Sequence, residues 1–190
     1  LNKRLRDQNW FLNNSIIEPD LMNILDLVSL GTICDVVPLV NLNRALVKQG
    51  LKILNKKKNL GLKTLIELCD IQNHITTYHL GYMLGPRINA GGRVGKSTHG
   101  ANLLLNKNSK EVFQISLELN NYNKERQLLE SELLNDILDR KYGLTNDPVI
   151  VLHGENWHEG IIGIIAARIK EKYNKPTFII SKKSNVGKGS

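Results

Sequence analysis

One amphipathic pattern, over residues 108–142, constrains the fold of this chain more than any other feature. Apolar side chains recur there at alternating spacings of three and four, which places them on one face of a single helix. They are Val112, Ile115, Leu119, Tyr122, Leu129 and Leu133, and only Arg126 interrupts the series. Asn108 and Glu111 resemble a capping box, and Gly143 suits the position after a helix end. The pattern predicts one helix of about 30 residues, well beyond the average length.

A helix of this length connects two domains or pairs with another helix. We predict a spacer between two lobes, with a coiled-coil dimer helix as the alternative. Before the helix, residues 43–54, 62–68 and 76–84 have helical patterns, and an apolar stripe starting near Pro19 predicts a helix that ends at Gly31. The stripe consists of Leu21, Ile24, Leu25 and Val28.

The segment after the long helix has the pattern of a strand–helix–strand unit. Residues 149–152 and 177–180 are β-rich, and residues 159–173 between them are helical in pattern. Such a unit places its strands parallel. The polar loop 153–158 leads into the N-terminus of the helix, where free N–H groups favour anions. On these grounds His158 is a phosphate donor, a metal ligand or a capping residue. Residues 186–190 have the composition of a glycine-rich loop.

Two earlier segments carry side chains that suit anion or metal chemistry. Residues 85–95 combine two arginines and one asparagine with four glycines, which predicts a rigid loop that meets an anion. The alternative is an ordinary glycine-rich turn with solvated arginines. Asp35 lies in residues 32–39, a stretch that is apolar except for Asp35 and Thr32. A buried carboxylate there needs a cation, a metal or several donors, unless it only caps the next turn.

The composition favours a polyanionic partner. The chain has 190 residues and a formal net charge of +8. Its two cysteines, Cys34 and Cys69, form no CxxC pattern, which is typical of reduced thiols in the cytoplasm. No apolar run approaches the ~20 residues that span a bilayer. We therefore predict a cytoplasmic protein that binds neither a membrane nor a small-molecule cofactor.

Three segments, in this order, resemble the single-strand exonuclease branch of the DHH/DHHA1 phosphoesterase family. They are residues 26–39, followed by Asn43, Arg44 and residues 49–51; residues 85–95; and residues 153–168. Residues 123–127 are also similar to an Asn-x-x-Arg-Gln pattern on the long helix of that family. The resemblance covers essentially the whole chain.

The resemblance implies an α/β fold in three parts. Residues 1–107 correspond to the C-terminal, mostly helical part of a DHH domain, 108–143 to a long interdomain helix, and 144–190 to the N-terminal part of a DHHA1 domain. It also implies a fragment of a 5′-to-3′ exonuclease that hydrolyses single-stranded DNA by two-metal catalysis with Mg²⁺ or Mn²⁺. Family members act in DNA repair and recombination.

The same resemblance assigns roles to individual residues. Asp35 matches a catalytic metal ligand of the family. The positions that match DNA- or phosphate-binding segments are Arg87, Asn89, Arg93, Trp157, His158, Gly160 and Gly163.

The chain departs from the family pattern in its metal motifs. It contains neither an Asp-x-Asp cluster nor an Asp-His-His triplet, and Cys34 replaces the usual Ala beside Asp35. We therefore expect this chain alone to lack nuclease activity. A non-catalytic nucleic-acid-binding remnant is one alternative. A DHH phosphodiesterase of short oligonucleotides or cyclic dinucleotides is another.

Overall fold

The computed structural model describes residues 1–139, 147–184 and 186–190. These residues are mostly helical, with one small mixed sheet, which confirms the predicted α/β class. None of the helices in the described ranges is both long and apolar enough to cross a bilayer. Contacts divide the chain into two compact units. The three-part domain division inferred from the sequence stays a prediction.

The first unit, Leu1–Lys58 with Asn73–Gly81, consists of helices and turns. Its elements are α1 (Asn2–Asp7), α2 (Trp10–Asn13), a 3₁₀ turn (Leu21–Ile24), α3 (Leu25–Cys34) and α4 (Asn41–Leu54). Helix α3 packs against α4, and Gly50 permits the close approach, because a Cβ there would lie 1.8 Å from the Oγ of Ser29. The buried apolar side chains of this unit include Leu30, Val47, Leu54, Ile75 and Leu80.

The helix predicted to start at Pro19 starts later and extends further. Asp20 is the cap of the 3₁₀ turn, since its Oδ1 accepts the N–H of Met22 at 2.9 Å, and α3 continues through Gly31 to Cys34. Gly31 therefore lies inside the helix, at a position with open space around it, rather than at the helix end. Three residues of the predicted apolar stripe are exposed rather than buried, namely Leu21, Ile24 and Val28.

The second unit, Asn59–Gln72 with Tyr82–Ser190, contains the long helix. It comprises α5 (Leu60–Leu68), α6 (Gly85–Val94), α7 (His99–Leu105) and α8 (Ser109–Asp139). A π-helical segment (His79–Leu84) precedes α6 in the chain, and only its residues from Tyr82 onward belong to this unit. The predicted start of α8 is confirmed, because Asn108 Oδ1 accepts the N–H of Lys110 at 3.0 Å. Glu111 accepts the side-chain amide of Asn108 at 3.0 Å. The predicted end at Gly143 lies outside the described residues.

Helix α8 contributes to two groups of buried side chains. Its first half packs against α5, α6 and α7, where Val112 and Leu119 are fully buried. Its last turns contribute Leu133 and Ile137 to a separate apolar cluster around the sheet. One helix therefore joins the helical part of this unit to its α/β part.

The sheet contains β1 (Ile150–Glu155), β2 (Thr177–Lys183) and β3 (Val186–Gly189), in that order, and α9 (Ile162–Tyr173) connects β1 to β2. Strands β1 and β2 are parallel, with Ile150 opposite Thr177, which confirms the predicted strand–helix–strand unit. The loop predicted over residues 186–190 is wrong, because this segment pairs antiparallel with β2. Ile179 and Ser190 exchange both main-chain hydrogen bonds, at 2.9 and 3.0 Å.

Candidate nucleic-acid interface

The glycine-rich segment 85–95 is a helix, so the loop predicted there is wrong. It forms α6, with Pro86 in the first turn, where its missing N–H costs no helical hydrogen bond. Within this helix Gly91 permits close packing, whereas Gly92 has open space around it. A Cβ on Gly91 would lie 2.6 Å from the carbonyl oxygen of Lys96 and 3.2 Å from Leu119 on α8. The side chains of α6 are therefore held on a rigid element.

The helical geometry separates the two arginines of α6. Arg87 is half-buried, and it donates from Nε to Asn120 at 3.0 Å and from Nη1 to the carbonyl of Met83 at 2.7 Å. Asn89 and Arg93 are four residues apart, so they share a different face, and both are exposed. Arg87 thus anchors α6 to α8, while Asn89 and Arg93 are accessible to a ligand.

Arg93 lies in an open cleft of about 590 Å³ within the second unit. One wall is the end of α6, and the other is the loop between β1 and α9 together with the end of β2. The lining residues are Gly92, Arg93, Asn156, Trp157, His158, Glu159, Gly160, Ser181 and Lys183. The structure therefore brings together four of the predicted binding residues, which are Arg93, Trp157, His158 and Gly160.

The two walls of the cleft meet at Gly160. Arg93 donates from Nη1 to the carbonyl oxygen of Gly160 at 3.2 Å. A Cβ on Gly160 would lie only 2.0 Å from the carbonyl oxygen of Arg93, so only glycine fits this approach. In the described chain this carbonyl is the one hydrogen-bond acceptor of Arg93. Its remaining guanidinium N–H groups are available to an anion.

The loop wall presents a polar edge next to an indole. The N–H of Gly160 donates to Nδ1 of His158 at 3.1 Å, which leaves Nε2 as the donor of the neutral ring. Trp157 is half-buried against Gly154, where a Cβ would lie 2.2 Å from the indole Cε2. Ser181 on β2 donates to the carbonyl of Trp157 at 2.5 Å. The loop is thus fixed at both its backbone and its side chains.

A cluster of charged side chains lies outside the cleft lining and interacts electrostatically with Arg93. Glu130 on α8 accepts Arg126 Nη1 at 2.9 Å on one oxygen and Arg168 Nη2 of α9 at 3.0 Å on the other. Burial lowers the pKa of Arg126; Glu130 opposes this effect, and the charges of Arg93 and Arg168 add to it. Arg126 and Arg168 therefore share one carboxylate, and the charge of Arg93 acts on the same Arg126, so this cluster has surplus positive charge.

Several predicted binding residues lie outside the cleft, and several lining residues were not predicted. Gly163 is in the first turn of α9, where a Cβ would lie 2.9 Å from Ser190 Oγ. Sequence reasoning missed Ser181 and Lys183, because only the pairing of β2 with β1 brings them to the loop. Arg126 gave a signal in the sequence, since it alone interrupts the apolar series of the long helix.

Asp35, in the first unit, is an exposed residue that ends α3. The expectation of a carboxylate in apolar surroundings is wrong for Asp35, because the helix ends before it and directs it to the surface. The next residue, Val36, has φ = 54°, the left-handed conformation usually taken by glycine. The N–H of Val36 donates to the carbonyl oxygen of Ile33, and the N–H of Val37 donates to the carbonyl oxygen of Thr32. These two hydrogen bonds form a Schellman turn. The buried carboxylate of this unit is Asp26.

Comparison with curated proteins gives one consistent result. The single-stranded-DNA-specific exonuclease RecJ of Escherichia coli is 39% identical over 181 residues, covering 90% of this chain and 31% of its own length. The Salmonella typhimurium protein of the same description is 37% identical over 179 residues, with the same coverage. The chain matches a segment of RecJ. It spans about a third of the length of these RecJ relatives. No family model matches the chain.

Solved RecJ structures have the same fold over this segment. RecJ from Thermus thermophilus in complex with Mn²⁺ is 33% identical with a TM-score of 0.75, covering 90% of this chain and 26% of that one. An exonuclease RecJ bound to manganese gives a TM-score of 0.76 at 33% identity, covering 90% of this chain and 43% of that one. A Mg²⁺ complex of the Thermus protein also matches. The predicted resemblance is confirmed.

The described residues of this RecJ-like segment do not fit a metal centre by themselves. Among them, no group of three or more His, Cys, Asp or Glu side chains lies close enough together to hold an ion. Asp35 offers a single exposed carboxylate, whereas a two-metal site needs several oxygen or imidazole ligands.

Proposed function

We propose that this chain binds single-stranded DNA through the cleft between α6 and the β1–α9 loop, as part of a RecJ-like 5′-to-3′ exonuclease. The observation that carries the proposal is the set of accessible donors in the cleft: the free N–H groups of Arg93, Nε2 of His158 and Lys183, beside the indole of Trp157. Cations that contact phosphates, together with an aromatic ring on which a base can stack, are typical of single-strand binding.

We assign the other predicted residues as follows. Asn89 lies on the face of α6 that carries Arg93, so it extends the strand path along that helix. Arg87 would contact a phosphate only through Nη2, because its Nε and Nη1 bind Asn120 and Met83. Gly163 would contribute its backbone at the start of α9.

We propose that hydrolysis belongs to the complete RecJ-like enzyme, in DNA repair and recombination, by two-metal catalysis with Mg²⁺ or Mn²⁺. Asp35 would supply one ligand to that centre. Binding without hydrolysis is the second candidate function for this chain alone, and it is favoured because the described residues form no metal cluster. Incubation with Mn²⁺ and a 5′-phosphorylated single strand should release no nucleotides. Metal-dependent degradation by a nuclease-free preparation would contradict this assignment.

Fluorescence anisotropy with a labelled oligodeoxynucleotide tests the cleft. Each phosphate contact on a single strand contributes about 0.7 to the slope of log K against log salt concentration. We expect Arg93→Ala to weaken binding and to lower this slope by about that amount. Lys63→Ala on α5 is the matched control, because it removes one exposed charge outside the cleft lining. Equal slopes for wild type and Arg93→Ala would remove Arg93 from the interface.

A further inference from the structure

The cleft has two walls that are distant in sequence, and its shape depends on what holds them together. The first connection is direct, between Arg93 and the carbonyl of Gly160, 67 residues apart. This connection is one long hydrogen bond of 3.2 Å, so it does not fix the orientation of the loop by itself.

A second connection joins the same two walls through α8 and α9. Helix α6 packs along α8, and α9 follows directly on the loop that carries Trp157, His158 and Gly160. Arg168 on α9 donates from Nε at 3.1 Å, and from Nη2 at 3.0 Å, to Oε1 of Glu130 on α8. The contacts therefore run from α6 to α8, to α9, to the loop and back to α6. The Arg168–Glu130 pair, in which the Arg168 side chain is 59% exposed, joins α9 to α8 in addition to the apolar cluster that the two helices share.

Glu130 is well suited to hold this connection in one geometry. It is only 7% exposed, and its other oxygen accepts Arg126, which in turn donates to Asn123 at 3.2 and 3.3 Å. A carboxylate held on both oxygens cannot change rotamer without breaking several charge-assisted hydrogen bonds. Arg168 thus meets a partner that is already fixed on the long helix.

We propose that Arg168 is a positioning residue for the strand-binding cleft. Its bond to Glu130 fixes the β1–α9 loop at the distance from α6 at which Arg93 and His158 engage one strand, and its own guanidinium does not contact the strand. This inference rests on the proposed binding function and adds to it a residue that acts through another element.

The salt dependence of binding separates positioning from contact. We expect Arg168→Ala to weaken single-strand binding about tenfold, as coupling through a packed network allows, with the salt slope unchanged. Arg168→Lys, which restores one donor to Glu130, should recover part of the affinity. Lys170→Ala, on the same helix, is the control for loss of one exposed charge. A slope lowered by about 0.7 would show a direct phosphate contact and would overturn the positioning role.

A second readout needs no DNA, so it separates failure of this inference from failure of the proposed function. In a Trp10→Phe background, Trp157 is the sole tryptophan of the chain. We expect acrylamide to quench Trp157 more strongly in Arg168→Ala than in wild type or Lys170→Ala, because the loop is released. Circular dichroism checks that each variant is folded. Unchanged quenching in folded Arg168→Ala would refute the inference, whether or not the chain binds DNA.

Discussion

Val36 gives the sharpest test of the local structure around Asp35. A β-branched side chain in the left-handed conformation costs about 1–2 kcal/mol, and glycine removes that cost. Glycine also loses about 0.5–1 kcal/mol in backbone entropy on folding. The side chain of Val36 is 85% exposed, so its removal forfeits almost no apolar burial. The difference between the two ranges predicts that Val36→Gly stabilises the first unit by up to about 1.5 kcal/mol.

Urea unfolding followed by fluorescence measures this change. A Trp157→Phe background leaves Trp10, in the first unit, as the only tryptophan. Val37→Gly is the matched control, because Val37 lies outside the left-handed region and is 37% exposed, so the same substitution should destabilise. If Val36→Gly lowers the free energy of unfolding as much as Val37→Gly does, the strain argument is refuted.

Two further predictions concern the same unit. Gly50→Ala should destabilise the first unit by about 1–3 kcal/mol, because the added Cβ would overlap α3. Gly31→Ala, at a helical position with open space around it, should stabilise the unit by about 0.5–1 kcal/mol. Thermal melts that rank the two variants in the opposite order would contradict the observed helix packing. Burial raises the pKa of Asp26 above its unfolded value, so its ionisation destabilises the fold at neutral pH, and this penalty disappears as the pH falls below the ordinary range for Asp. Asp26→Asn should therefore raise the urea midpoint at pH 7 and change it less at about pH 4, the ordinary Asp range. Equal changes of the midpoint at both pH values would contradict a burial penalty on the ionised carboxylate.

The elements predicted best are those with a strong local period. The long helix and the strand–helix–strand unit follow from apolar spacing within single segments. The glycine content of segment 85–95 predicts a loop, whereas in the structure Gly91 serves packing, against Lys96 and against Leu119 on another helix. The sequence carries no local sign of that packing. In a loop the two arginines would be equivalent, whereas helical geometry gives Arg87 and Arg93 different faces.

Two other features depended on partners far along the chain. The connection between Arg168 and Glu130 spans 38 residues, and charged residues on helix surfaces rarely indicate their partners. The burial of Asp26, rather than Asp35, follows from where α3 ends, which single-sequence patterns locate poorly. The binding residues grouped in the cleft were found through family resemblance, and the structure adds how they are held.

The double role of α8 has a consequence for dissecting this chain. Leu133 and Ile137 fill the space beneath the sheet, next to Ile150 and Ile165. A truncated protein that starts after the long helix would lose both side chains. The apolar cluster beneath the sheet, including the buried face of α9, would then be exposed to water. The smallest α/β piece expected to fold by itself therefore begins within α8, upstream of Glu130. A piece that begins after Asp139 is therefore expected to aggregate instead of folding as a domain.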